Sequence, residues 1–239
     1  MANQGTRRRL VWAVVGAIVL VGAVIALLVG RLGEPGDSPT PTGIGGSSAP
    51  SSTAPGVDGD VVDPGVTDRG WVPEPITRDQ DAYIRAALEA AGTVDTRKAT
   101  RAEWVSWLET WFTPSPLYDS EKDALDQMAG YKAELDQSVV LPQQLWDDLA
   151  KEDGRVEARV VGDIDYLELP ETTAQHMWTG TADVVMHYTR VGDGREVSYD
   201  ETVRVSVQVV CDAESVPAPG SAQRAGDCKV VRFFDEAVG

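Results

Sequence analysis

Histidine, cysteine and asparagine are almost missing from this chain of 239 residues: His176, His187, Cys211, Cys228 and Asn3 are all it has. So few soft or imidazole ligands leave no cluster with metal-site spacing, and neither cysteine has a histidine near it in sequence. No Gly-rich phosphate loop, no Gly-x-Ser-x-Gly elbow and no His-Glu-x-x-His pair is present. Basic residues are short as well, 21 against 38 acidic ones. Three of the basic residues precede Leu10 and no acidic residue lies within 1–30, so 18 basic face 38 acidic residues beyond Gly30, a balance of −20. With no basic stripe to displace counterions, direct binding to nucleic-acid phosphate or to anionic lipid headgroups is excluded as the main activity. No cofactor or metal is expected.

What the chain does have begins at its start. Arg7, Arg8 and Arg9 precede an uncharged apolar run from Leu10 to Gly30. At 1.5 Å per residue, a helix of that length spans about 30 Å of hydrocarbon. The exit, Leu28-Val29-Gly30-Arg31, lacks an Ala-x-Ala-like cleavage site, so a retained anchor is favoured over a cleaved signal peptide. The arginine imbalance places residues 1–9 in the cytoplasm, 10–30 in the membrane and the rest outside, as a single-pass cell-membrane protein. The abundance of Arg, Ala, Val, Gly and Asp fits a high-GC bacterium.

Residues 31–75 hold eight of the fourteen prolines, with many Gly, Ser and Thr. That composition reads as an extended tether that cannot bury enough surface to offset ordering entropy. Residues 76–239 then supply one globular domain. Thr77-Arg78-Asp79-Gln80 reads as a capping box for a helix with Tyr83, Ile84, Ala87, Leu88 and Ala91 on one face and Gly92 at its end. Thr100-Arg101-Ala102-Glu103 is a second capping box. Behind it Trp104, Trp107, Leu108 and Trp111 fall at i, i+3, i+4 and i+7, and Pro114 and Pro116 end the helix. Ser120 is a candidate cap for a third helix carrying Leu125, Met128 and Ala129. Pro142 opens a short fourth through Leu145, Trp146 and Leu149.

From Arg155 the period changes from 3.6 to 2. Val156, Ala158 and Val160 share a face, and the phase slips near Val161-Gly162 as at a bulge. Trp178, Ala182, Val184, Met186 and Tyr188 oppose Thr179, Thr181, Asp183, His187 and Thr189. Gly192-Asp193-Gly194 is a hairpin turn, followed by Val197 to Cys211 in strict alternation and a last strand around Cys228–Asp235. Helices followed by about four antiparallel strands with one buried and one wet face make an α+β domain. Cys211 and Cys228 outside the cell favour a disulfide, stabilising by about 3 kcal/mol through loop closure, over two unpaired structural cysteines.

Candidates for chemistry are sparse. His187 sits on a polar strand face, where exposure or cross-strand pairing explains it, and His176 at the head of its strand has no identifiable acidic partner. Glu201 is the one polar residue on the inner phase of its strand. Enclosed among apolar groups it could serve as a base, with Tyr188 or Tyr199 as donor. The alternative is a bulge at Asp200-Glu201 that turns it to water. Trp104, Trp107 and Trp111 could line the same pocket, although core packing is the favoured reading for them.

The stretches Ala102-Glu103-Trp104-Val105-Ser106-Trp107-Leu108 with Trp111 to Leu117, and Val139-Val140-Leu141-Pro142 through Trp146, resemble accessory membrane proteins of actinobacterial conjugative elements. Those are similar to the NTF2-like inner-membrane scaffold subunits of type IV secretion systems. The resemblance implies a cone of three to four helices on a curved antiparallel sheet. It also implies a non-enzymatic scaffold that self-associates as a homo-oligomer and contacts other membrane or secretion-apparatus proteins. Phe233 and Phe234 stand where many such domains carry a Trp, and the cysteine pair is not a feature of the family. An accessory role in a lipid-transport or cell-wall system, and an extracytoplasmic enzyme or small-ligand binder, are the alternative expectations.

Overall fold

Asp79, not Thr77, opens the first helix, α1 (Gln80–Gly92). Its carboxylate accepts hydrogen bonds from the Asp81 and Ala82 amides, while the Thr77 hydroxyl accepts from Asp79 N one step earlier. This computed structural model describes residues 60–167 and 177–238, all within the compact unit Thr53–Gly239. The apolar run over 10–30, the tether up to residue 59 and His176 lie outside the described residues. Among the described residues no helix is long and apolar enough to cross a membrane.

Thr100 and Glu103 close the expected capping box of α2 (Arg101–Leu108), which tightens into a 3-10 turn over Glu109–Trp111. Trp104, Leu108 and Trp111 are buried, so most of the tryptophan stripe is core. Ser120 caps α3 (Glu121–Glu134) as expected. Of the residues expected on it, Met128 packs partly buried against the core, while Leu125 and Ala129 face solvent and Ala124 is its one buried residue. The helix is also anchored by the following π turn, Leu135–Val139, whose Leu135 is fully buried. In α4 (Gln143–Lys151), Trp146 stacks on Trp104 with centroids 5.7 Å apart, and Leu145 points out.

The sheet has five strands rather than four: β1 (Val94–Asp95), β2 (Arg155–Leu167), β3 (Met177–Gly192), β4 (Arg195–Val210) and β5 (Lys229–Phe233). They lie in sequence order, every neighbour antiparallel. The register of β2 on β3 shifts between Val161 and Asp165, where Gly162 adopts φ +71°, so the expected bulge is present. Asp193 and Gly194 both take positive φ, the two-residue turn whose twist matches the flanking strands. From there β3 and β4 pair without interruption, Met186 facing Glu201 and His187 facing Asp200, so no bulge displaces Glu201.

Helix α1 lies on one face of the sheet. Gly92 comes so close that a Cβ there would stand 2.8 Å from the Ala158 and Met186 side chains. The opposite face is not wet along its whole length, as alternation alone implies. Thr179, Thr181 and Ser206 are buried there, with Thr181 donating to the Val238 carbonyl and Val238 N donating to the Ser206 hydroxyl. Met177, Val210 and Val231 form a second apolar cluster against Tyr131.

One boundary also moves. Residues 60–75, which composition assigns to the tether, belong to the folded domain. They carry a 3-10 turn (Pro64–Arg69), a bridge between Val61 and Pro75, and buried Val66, Trp71 and Glu74. Two large apolar side chains and one buried carboxylate suffice to order a segment that Pro and Gly otherwise mark as loose.

Candidate functional site

The six residues considered for a pocket separate into two groups. Trp104 and Trp111 are sealed in the core beside Tyr83, Leu108 and Leu135, and Trp107 is half-buried at its rim. Tyr188 and Tyr199 face each other across β3 and β4 with stacked rings, centroids 4.9 Å apart. Glu201 follows two residues later on the same face but is exposed. It therefore lacks the apolar enclosure that its role as a base requires. Burial pushes the Tyr188 phenol up, and the charge of Glu201 adds to the shift, so this hydroxyl holds its proton. Cys211 and Cys228 are joined in a disulfide that ties the end of β4 to the start of β5. His187 Nδ1 lies 2.6 Å from Asp200 on the outer face, the cross-strand pairing that its position suggests.

A buried polar cluster escaped the sequence reading. Glu74 Oε1 accepts from the Tyr83 hydroxyl (2.6 Å), Lys229 Nζ (2.8 Å) and Gln223 Nε2 (3.0 Å), and Lys229 also donates to the Thr110 carbonyl. Side-chain exposure is 1% at Lys229 and 2% at Glu74. Burial pushes the Lys229 ammonium down although Glu74 opposes it, and burial followed by the Glu74 charge pushes Tyr83 well up. With no open path to its charges, the cluster serves as a clamp that joins the 71–75 segment, α1, β5 and the 212–227 loop. Nothing in the local pattern announces it, because Glu74 and Lys229 lie 155 residues apart.

Two surfaces remain open. The first is a solvent-open groove of about 690 Å³ between the 63–71 segment and α2. Trp71 stacks on Trp107 at 4.9 Å, Arg69 lies over the Trp71 ring, and Arg69 reaches Glu103 at 3.5 Å. Its walls mix charge with aromatic surface, and Trp107 is the one member of the predicted stripe that lines it.

The second is the distal half of the β3–β4 hairpin. Helix α1 ends at Gly92 against Met186, and beyond it Tyr199 is 50% and Val197 43% exposed. Strands β2 and β4, each covered over only part of its length by the short strands β1 and β5, differ in how their remaining edges are treated. Along β2, side chains from and beside α1 occupy the edge: Glu89 accepts from Val160 N, Thr93 accepts from Ala158 N, and Arg85 donates to the Gly162 carbonyl. Along β4, β5 pairs only Val207 to Val210, and the Phe234 amide adds one bond to the Ser206 carbonyl. From Arg195 to Val205 that edge has no paired strand among the described residues. An unpaired edge is a template for another strand. Its outer-face side chains are held by ion pairs, Arg204 to Asp165 and Asp183, and Arg155 to Glu196.

Among the described residues no group of three His, Cys, Asp or Glu is placed to hold a metal ion. No protein family and no curated protein matches the chain. Two solved structures are similar to it. One is an IcmL-like type IV secretion system protein from Legionella pneumophila, 15% identical, with a TM-score of 0.39 over 63% of this chain and 84% of that one. The other is a periplasmic fragment of TraM, 14% identical, with a TM-score of 0.36 over 63% of this chain and 89% of that one.

Proposed function

We propose that the chain is a non-enzymatic, membrane-anchored scaffold whose outer domain works through protein–protein contacts in a conjugation or type IV secretion-like apparatus. The observation that carries the contact role is the distal β3–β4 hairpin, a stacked tyrosine pair and exposed valines beside an unpaired strand edge. Trp104 and Trp111, which could have lined a ligand cavity, fill the core instead. Residues 10–30 serve as the anchor and residues 31–59 as the tether that carries the domain away from the membrane. The Cys211–Cys228 disulfide supports an oxidising compartment for the domain. The assignment to a transfer apparatus rests on the likeness of residues 102–117 and 139–146 to conjugative-element proteins. The NTF2-like cone is likewise part of this reading, and the helices on a curled antiparallel sheet support it.

The test is made in the native host. A photo-crosslinking residue at Tyr199 is expected to capture another apparatus protein or a second copy, and deletion of the gene is expected to abolish DNA or protein transfer. Unchanged transfer in the deletion strain together with no captured protein would refute the proposal.

A further inference from the structure

We infer that the free edge of β4 pairs antiparallel with β4 of a second copy about a two-fold axis at Asp200, joining two five-stranded sheets into one. The inference deepens the contact-domain reading and rests on it. Because the Ser206 carbonyl accepts from the Phe234 amide just past β5, the even-numbered residues of β4 turn their backbone groups toward the free edge. Glu196, Ser198, Asp200, Thr202 and Arg204 therefore offer unpaired donors and acceptors, enough for about ten hydrogen bonds across a symmetric junction.

The sequence of the edge selects the register. Centred on Asp200, Glu196 faces Arg204 of the second copy, twice by symmetry. Ser198 faces Thr202, Val197 faces Val203, and the Tyr199 ring lies beside Glu201. Centring on Tyr199 would set Val197 against Glu201 and Glu196 against Thr202. Centring on Glu201 would set Arg204 against Ser198. Neither alternative brings opposite charges together. Centring on Thr202 would face Asp200 with Arg204, but it would also set Glu196 against Gln208, whose edge β5 already pairs. The junction has one unfavourable pair, Asp200 against its copy. Cross-strand pairs contribute roughly 0.2–1 kcal/mol each. Two Val–Val pairs offset one repulsive contact, together with two Glu–Arg pairs that extend the ion pairs of Arg155 to Glu196 and of Arg204 to Asp165 and Asp183 within each copy. His187 Nδ1, 2.6 Å from each Asp200, already occupies one oxygen of that carboxylate. The opposite edge of the sheet is capped by Glu89, Thr93 and Arg85, so the assembly closes at two copies instead of extending into a fibre.

Cysteine crosslinking reads the register directly. The full-length chain carrying Asp200→Cys, solubilised in mild detergent and oxidised, is expected to form a covalent dimer, because residue 200 meets itself. Ser198→Cys and Thr202→Cys are expected to stay uncrosslinked alone and to crosslink when mixed. Glu196→Arg and Arg204→Glu should each weaken self-association at least about tenfold, since two pairs change sign, and should associate with each other when mixed. Thermal melts of each variant separate misfolding from lost pairing. If the chain self-associates but Asp200→Cys crosslinks no better than Ser198→Cys, the inferred junction is wrong while the scaffold reading stands. A photo-crosslink from Tyr199 to a different protein, with the chain monomeric, likewise overturns the junction and leaves the contact role intact.

Discussion

Lys229 sits at the centre of the domain's most concentrated energetics. Removing one partner of a buried ion pair strands the other, at a cost of about 3–5 kcal/mol. Lys229→Met is therefore expected to lower unfolding free energy by that order, measured by denaturant titration. Glu74→Met combined with Lys229→Met should recover a large part of the loss, because the double variant strands no charge. Glu89 offers the opposite sign. Burial holds its carboxyl above the ordinary range, so the folded chain retains a proton over a pH window in which the unfolded chain has released it. Stability accordingly falls as pH rises through that window and stays lower above it. Glu89→Gln keeps an oxygen for the Val160 amide and removes the charge. The variant is expected to be more stable than the native chain at neutral pH and to lose this drop, in thermal melts from about pH 4 to 8. Neither residue was legible beforehand, since a charged side chain reads as exposed until its distant partners are placed.

Elements were the most readable scale. The capping box at Thr100 and Glu103, the Gly162 bulge, the Asp193-Gly194 turn and the alternation of β4 all follow from local chemistry that the structure repeats. Thr100→Ala is expected to cost about 1 kcal/mol in unfolding free energy, with the loss of one cap hydrogen bond as its cause. Replacing both Cys211 and Cys228 with serine should lower stability by about 3 kcal/mol, the closure entropy of a loop with sequence separation 17. What failed was cover. Periodicity assigns Glu201 to the helix-facing side of the sheet correctly, yet it cannot tell that α1 stops at Gly92 and leaves that stretch bare. By the same reasoning Thr181 and Ser206 read as wet, because the C-terminal segment that bonds to them is joined to the sheet by tertiary contact alone. A two-residue strand such as β1 has too few positions for any period to show.

At the scale of the whole molecule, the proposed contact function lies outside the core. A domain filled by tryptophan and clamped by a sealed ion pair presents rigid surfaces, and its exposed apolar strip and unpaired edge lie together on one hairpin. The chain's net charge of −17 favours solubility of such a surface through like-charge repulsion. The most direct test of the contact role is photo-crosslinking from Tyr199 in living cells of the native host. A discrete adduct, to a second copy or to another component of the proposed transfer apparatus, is the expected result. Tyr199 without any adduct, in a strain where deleting the gene leaves transfer intact, would contradict it.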